Sequence, residues 1–156
     1  MKYQAMKLLN LFTITAFAFV ILLSVQCSKY HGESEKYTVN GPGVGLQVVP
    51  ATTSTATAMM VGEYNSSNNT LTGVITWDGL SGAPIAIHFH GPAAAGRNNI
   101  SQFTMVKIPA VASGSMTFQS VFTGSQQGTL INDGFYYDIH TSAFPNGEVR
   151  GQMLLQ

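Results

Sequence analysis

Residues 46–156 of this chain read as an all-β domain, an antiparallel, Greek-key-like sandwich or barrel of about seven or eight strands. Apolar and polar residues alternate over short segments, and turn-forming residues divide those segments at the spacing usual for sandwiches and barrels. Charged residues make up 9% of the chain, against roughly 25% in an average globular protein, a shortage that suits strands and turns better than solvated helices. At 156 residues there is room for one such domain.

The elements follow in order. Leu46 to Val49 is a short first run. Thr55 to Tyr64 sets Thr55, Thr57, Met59 and Val61 against Ala56, Ala58, Met60 and Tyr64. Asn65-Ser66-Ser67-Asn68-Asn69 then supplies a turn, because Asn and Ser side chains bond nearby backbone. Thr70 to Trp77 puts Leu71, Ile75 and Trp77 on one face and Thr70, Thr72, Val74 and Thr76 on the other, the period of a half-buried strand. Pro84 to His90, Gln102 to Ile108, Ser115 to Phe122, Phe135 to His140 and Glu148 to Leu155 complete the set, and Ser125 to Asn132 has room for a helical turn. Between the last two strands, Pro145-Asn146-Gly147 tolerates positive φ and predicts an antiparallel hairpin.

Ahead of the domain, Lys2 and Lys7 precede the apolar run Leu8 to Val25, which leads to Cys27. Leu23-Ser24-Val25-Gln26-Cys27 resembles the end of a bacterial lipoprotein signal peptide, whose cysteine becomes lipidated and N-terminal after cleavage. The resemblance implies a leader over 1–26, export, a lipid anchor at Cys27 and a place in the cell envelope, at the outer membrane. An uncleaved anchor, given a run near the ~20 residues that span a bilayer, leaves the domain on the same side. Residues 27–45, with Lys29, Glu33, Glu35, Lys36 and the Gly41-Pro42-Gly43 punctuation, read as a tether. Cys27 is the only cysteine, so no disulfide staples the fold. Two of the seven basic residues lie in the leader, leaving five against seven acidic residues in 27–156, a net charge of −2. Nothing there is basic enough to point to nucleic acid.

The residues that could carry chemistry fall on three strands. In Ile85-Ala86-Ile87-His88-Phe89-His90 the apolar Ile85, Ile87 and Phe89 share one face, so His88 and His90 share the other, with Cα atoms ~6.6 Å apart at ~3.3 Å per residue. Two such imidazoles can chelate one metal ion. The same alternation groups Tyr136, Asp138 and His140, and then Glu148, Arg150 and Gln152. The hairpin brings the last two groups together, where opposite charges can pair across strands. Two readings are open at this point. One is a structural network in which His88, His90, His140, Asp138, Glu148 and Arg150 satisfy one another. The other is a zinc or copper site of His88, His90 and His140, with Asp138 or Glu148 as ligand or orienter.

His88-Phe89-His90-Gly91-Pro92-Ala93 and, later, Ile139-His140-Thr141 with Phe144-Pro145-Asn146-Gly147-Glu148-Val149-Arg150-Gly151-Gln152 resemble the two signature blocks of the CHRD domain, named after the animal protein chordin. The resemblance covers residues 46–156 and implies an extracellular β-sandwich or barrel without an established catalytic activity. The cysteine-rich modules of chordin are missing here, so its growth-factor partner does not carry over. Gly96-Arg97-Asn98-Asn99 also departs from the Gly-rich stretch expected after the first block.

Enzyme classes find little support. No Gly-x-Ser-x-Gly elbow occurs, and Asp138 with His140 is not a triad. A glycosidase pair of Asp138 and Glu148 conflicts with Arg150 beside it, since a cation keeps both carboxylates ionised and a general acid needs a raised pKa. A His-x-His strand on a β-sandwich is shared with copper-zinc superoxide dismutase, but the further histidines and cysteine pair of that family are absent. The expectation is a non-enzymatic, lipid-anchored envelope module with a binding or structural role, attached to the membrane and open to an extracellular protein partner. The alternative is a zinc or copper protein with superoxide-dismutase-like redox chemistry.

Overall fold

The computed structural model describes residues 35–156. The leader, Cys27 and the first part of the expected tether lie outside the described residues. Eight strands form one antiparallel sheet: β1 (Lys36–Val44), β2 (Thr57–Asn65), β3 (Thr70–Asp78), β4 (Pro84–His90), β5 (Ser101–Thr104), β6 (Gly114–Val121), β7 (Phe135–Thr141) and β8 (Val149–Leu155). A short helix, α1 (Gly124–Ile131), precedes β7. The spatial order is β5-β4-β7-β8-β1-β2-β3-β6. The chain therefore crosses over between β3 and β4 and after β5 and β6, as in Greek-key folds, while β1-β2-β3 and β7-β8 are neighbours in sequence and in space.

The sheet curls into a nearly closed barrel, and aromatic rings bridge its two ends. Phe89 of β4 meets Phe118 of β6 edge-on at 5.0 Å, and Phe103 of β5 lies 5.1 Å from Phe122. The inward residues include Leu71, Ile75 and Trp77 from β3, Ile87 and Phe89 from β4, and Phe135, Tyr137 and Ile139 from β7, whereas Ile85, expected on the same face as Ile87 and Phe89, is exposed where the register shifts between Pro84 and Ala86. α1 begins with a reciprocal cap, in which Thr123 Oγ1 accepts from Gln126 N and Gln126 Oε1 accepts from Thr123 N, satisfying donors a helix start leaves open.

Three expectations of strand position need correction. The strand expected over Gln102 to Ile108 ends at Thr104, and Lys107 beyond it has a positive φ. Leu46 to Val49 forms no strand; Gly45–Gln47 is a 3-10 turn that ends β1 and starts a loop across the outside of the barrel. Residues 36–44 of the expected tether form β1, a central strand that pairs with β2 along its whole length and with β8. Gly41 and Gly43 are there for close approach rather than for a turn. A Cβ on Gly43 would stand 2.6 Å from the Tyr137 hydroxyl, and one on Gly151 opposite would stand 2.5 Å from the same ring. Tyr137 crosses this space and donates to Gly41 O at 2.8 Å.

The feature that positions the site is the burial of both faces of β7, where all seven residues are buried. Its inward face packs in the core. Its outward face, Tyr136, Asp138 and His140, lies beneath two loops, residues 45–56 and 91–100, which are tied to each other by Asn98 Nδ2 donating to Val49 O at 2.7 Å. Gln152 holds the second loop down by donating to Ala93 O at 2.9 Å.

Candidate metal centre

Adjacent antiparallel strands bring the two signature segments into register. Cα partners across β4 and β7 include His88 with Asp138, Ala86 with His140 and His90 with Tyr136. The outward side chains of His88, His90, Asp138 and His140 converge, and one ligand atom from each lies within 4.8 Å of the others. Asp138 Oδ1 is 2.8 Å from His140 Nε2, 3.1 Å from His90 Nε2 and 3.9 Å from His88 Nδ1, and His88 Nδ1 is 3.2 Å from His140 Nε2. Four donors around an ion with bonds of about 2.0–2.1 Å stand roughly 3.3 Å apart in a tetrahedron. Four of the six spacings bracket that value, and the other two, from His90 to His88 and to His140, lie within 4.8 Å.

The outer ring nitrogens fix the chemistry of the inner ones. His90 Nδ1 donates to Asn99 O at 2.9 Å, and His140 Nδ1 donates to Pro145 O at 2.9 Å. A backbone carbonyl only accepts, so both δ nitrogens carry hydrogen, and in the neutral ring each ε nitrogen presents a lone pair. Both lone pairs are aimed at Asp138 Oδ1, itself an acceptor. A proton on each ε nitrogen or one cation among the four groups removes the clash, and the second arrangement is the carboxylate- and carbonyl-supported imidazole usual at metal sites. Burial works against charge on His140, yet the Asp138 carboxylate outweighs it and holds His140 above the ordinary histidine range. For Asp138 burial pushes upward, and the contacts with His140 and His90 more than reverse it, leaving the carboxyl below its usual range. His88 is lowered, by burial first and by His140 next.

Of the polar residues the sequence groups together, Glu148 and Arg150 stand apart from this cluster. Glu148 accepts from Ser54 Oγ at 2.8 Å, Ser81 N at 2.8 Å, Ser81 Oγ at 2.6 Å and Thr141 Oγ1 at 2.6 Å, so both its oxygens are taken. It is no ligand. Arg150 is the Cα partner of Asp138, but no ion pair joins them. Its guanidinium lies 3.5 Å over the Tyr136 ring and donates to Asn98 Oδ1, Ala94 O and Gln152 Oε1. Tyr136 in turn stacks on His90, with centroids 4.7 Å apart and planes at 3°. Because β7 lies between β4 and β8, the phenol ring is held between histidine and arginine. The cross-strand charge pairing expected from the hairpin is replaced by this stack and by hydroxyl bonds.

The supports that sequence reasoning missed are mostly backbone. The carbonyls of Asn99 and Pro145 carry no side-chain signature, and Ser54 and Ser81 come from loops far from Glu148 in sequence. The one available signal is the Pro145-Asn146-Gly147 turn: Gly147 has φ of +110° and donates to Phe144 O at 3.1 Å, which orients the Pro145 carbonyl toward His140. His90, Asp138 and His140 also wall a solvent-open cleft of about 400 Å³, completed by Val49, Pro50, Asn98 and Pro145 among others.

Fold and cluster define a class of protein: an antiparallel β domain carrying a histidine–carboxylate cluster on the outside of its barrel, under two loops. The chain belongs to the CHRD domain family, whose model matches residues 43–153. That match begins inside β1, consistent with a domain that starts before residue 46. No curated protein and no solved structure matches the chain.

Proposed function

We propose that this CHRD domain is a non-enzymatic module that binds one zinc or copper ion through His88, His90, Asp138 and His140, on a protein held in the cell envelope by lipid at Cys27. The observation that carries the metal reading is the pair of ε nitrogens, each left by a backbone carbonyl as a lone-pair donor in the neutral ring and each facing the same carboxylate oxygen. Imidazole with carboxylate suits zinc, and copper binds the same donors more tightly by the usual order of divalent ions. The purified protein should take up about one ion per chain, measured by titration calorimetry and elemental analysis, and His140→Ala should lower affinity by more than about 100-fold, beyond the roughly 10–100-fold cost of losing an outer support.

The competing reading, a purely structural network, draws on the absence of buried side-chain polar atoms without a partner among the described residues. Wild-type protein that takes up no zinc or copper at millimolar supply would favour it and end the metal reading. The anchor rests on the basic residues and apolar run that end at Cys27. Cys27→Ala should abolish incorporation of labelled fatty acid, and unchanged labelling would remove that part of the proposal.

A further inference from the structure

The four candidate ligands are not held alike. His90 and His140 are each anchored at the outer nitrogen by a backbone carbonyl, and His90 is also stacked on Tyr136. Asp138 lies between them. Their side chains are 11%, 11% and 10% exposed, whereas that of His88 is 25% exposed. His88 also differs in what holds it. Among the described residues its one hydrogen-bond partner is His140 Nε2, inside the cluster, and no carbonyl or carboxylate described there grips its outer nitrogen. It presents Nδ1 where the other two present Nε2, stands 3.9 Å from the carboxylate oxygen, and sits on β4 opposite Thr104 of the four-residue edge strand β5.

Ligating histidines owe their orientation and basicity to the hydrogen bond on the other nitrogen. One that lacks it, at the solvent side, competes poorly with a donor from solution. Metal sites that admit outside ligands have three protein ligands and one position open to exchange, whereas purely structural zinc sites are closed by four. Resting on the metal reading above, we infer that His90, Asp138 and His140 hold the ion and that His88 is a displaceable fourth ligand, so that a small monodentate donor, an anion or a nitrogen base, enters the coordination sphere in its place. The ligand class follows from the geometry: one position, next to solvent, vacated by a single nitrogen atom. The exchange breaks the bond from the metal to His88 Nδ1 and forms one to the incoming atom, with no change of oxidation state.

The test uses the full chain in detergent, loaded with Co²⁺ as a spectroscopic stand-in, and needs no variant for its first arm. Azide titrated into the wild-type cobalt protein should shift the visible absorption bands saturably. His88→Ala should still bind one Co²⁺, with affinity lowered by no more than about tenfold, the low end of what losing an outer support costs, and should regain wild-type bands when free imidazole is added. His140→Ala should lose cobalt. Bands indifferent to azide in the wild-type protein overturn the inference, as does His88→Ala losing cobalt as completely as His140→Ala while its thermal transition stays intact. Wild-type protein that binds no cobalt, zinc or copper overturns the metal reading itself, a result distinct from tight binding with an inert spectrum.

Discussion

Asp138 and Glu148 are buried carboxylates on one hairpin, and they meet opposite surroundings. Glu148 is met only by donors, three hydroxyls and a backbone N–H from Ser54, Ser81 and Thr141. Burial raises its pKa and these bonds more than reverse the effect, so it stays ionised and ties the 45–56 loop, through Ser54, and the β3–β4 connection, through Ser81, to the start of β8. Asp138 is met by imidazole nitrogens that are acceptors in their neutral form. Two buried carboxylates of one hairpin therefore separate by partner chemistry. The one surrounded by hydrogen atoms is satisfied within the fold, and the one facing imidazole nitrogens needs a proton or, on the metal reading proposed above, a cation between them.

Substitution at the two carboxylates is the most direct way to break the comparison. Glu148→Ala leaves several buried donors without an acceptor, at roughly 1–3 kcal/mol each before relaxation, and should destabilise the domain by about 3–4 kcal/mol in chemical denaturation. Asp138→Asn acts differently. Its amide can donate to a histidine lone pair, so at pH 8 the metal-free variant should melt at or above the wild-type temperature while losing metal affinity. A large loss of metal-free stability in Asp138→Asn, matching Glu148→Ala, would make both carboxylates structural and erase the distinction.

A smaller effect is expected at the turn that serves both regions. Gly147 sits at φ of +110°, where a β-branched residue is strained, although a Cβ would meet nothing closer than 3.6 Å. Gly147→Val should cost on the order of 1–3 kcal/mol through the backbone alone. It should also weaken metal binding by shifting the Pro145 carbonyl that holds His140. A thermal midpoint and a metal affinity both equal to wild type would disconnect that turn from the site.

Much of this architecture was legible in the residues, and the failures have physical causes. Alternation identified β3, β4 and β7 and most of their inward residues, because a period of two leaves one face no choice, and it failed at Ile85, where an irregularity at the start of β4 turns that side chain outward. It also placed His88 with His90 and Asp138 with His140. β1 was hidden because Gly41-Pro42-Gly43 carries turn chemistry, and only the Tyr137 ring packed against those glycines shows why a central strand uses them. The roles of Glu148 and Arg150 could not be read either. Charge pairing is the default for opposite charges across a hairpin, and the loops that supply Ser54, Ser81, Ala94 and Asn98 are set by tertiary packing rather than by local pattern.

The smallest expected effect is the finest test of the Asp138 side, since it asks whether metal reverses the dependence of stability on pH. In metal-free protein His140 titrates above the ordinary value of 6.5, so its contribution is complete below that value and is lost as pH rises through the raised one. His88, lowered by burial, works the other way: its contribution is complete above 6.5 and is lost as pH falls toward its depressed value. Asp138 adds a loss only in acid, as pH drops below the ordinary carboxyl value of 3.8 and through the depressed one. Metal-free stability should therefore peak near the ordinary histidine value and decline from there toward pH 8. His140→Ala should flatten the alkaline decline, and His88→Ala should flatten the acid one. A bound ion replaces the proton on His140 Nε2, so its stabilisation grows as that proton becomes easier to remove. With saturating zinc the slope between pH 6.5 and 8 should change sign, and melting temperatures across that range, with zinc and with chelator, measure it. Parallel curves in the two conditions would mean that no proton leaves when the metal binds, and the lone pairs facing Asp138 would then not be its ligands.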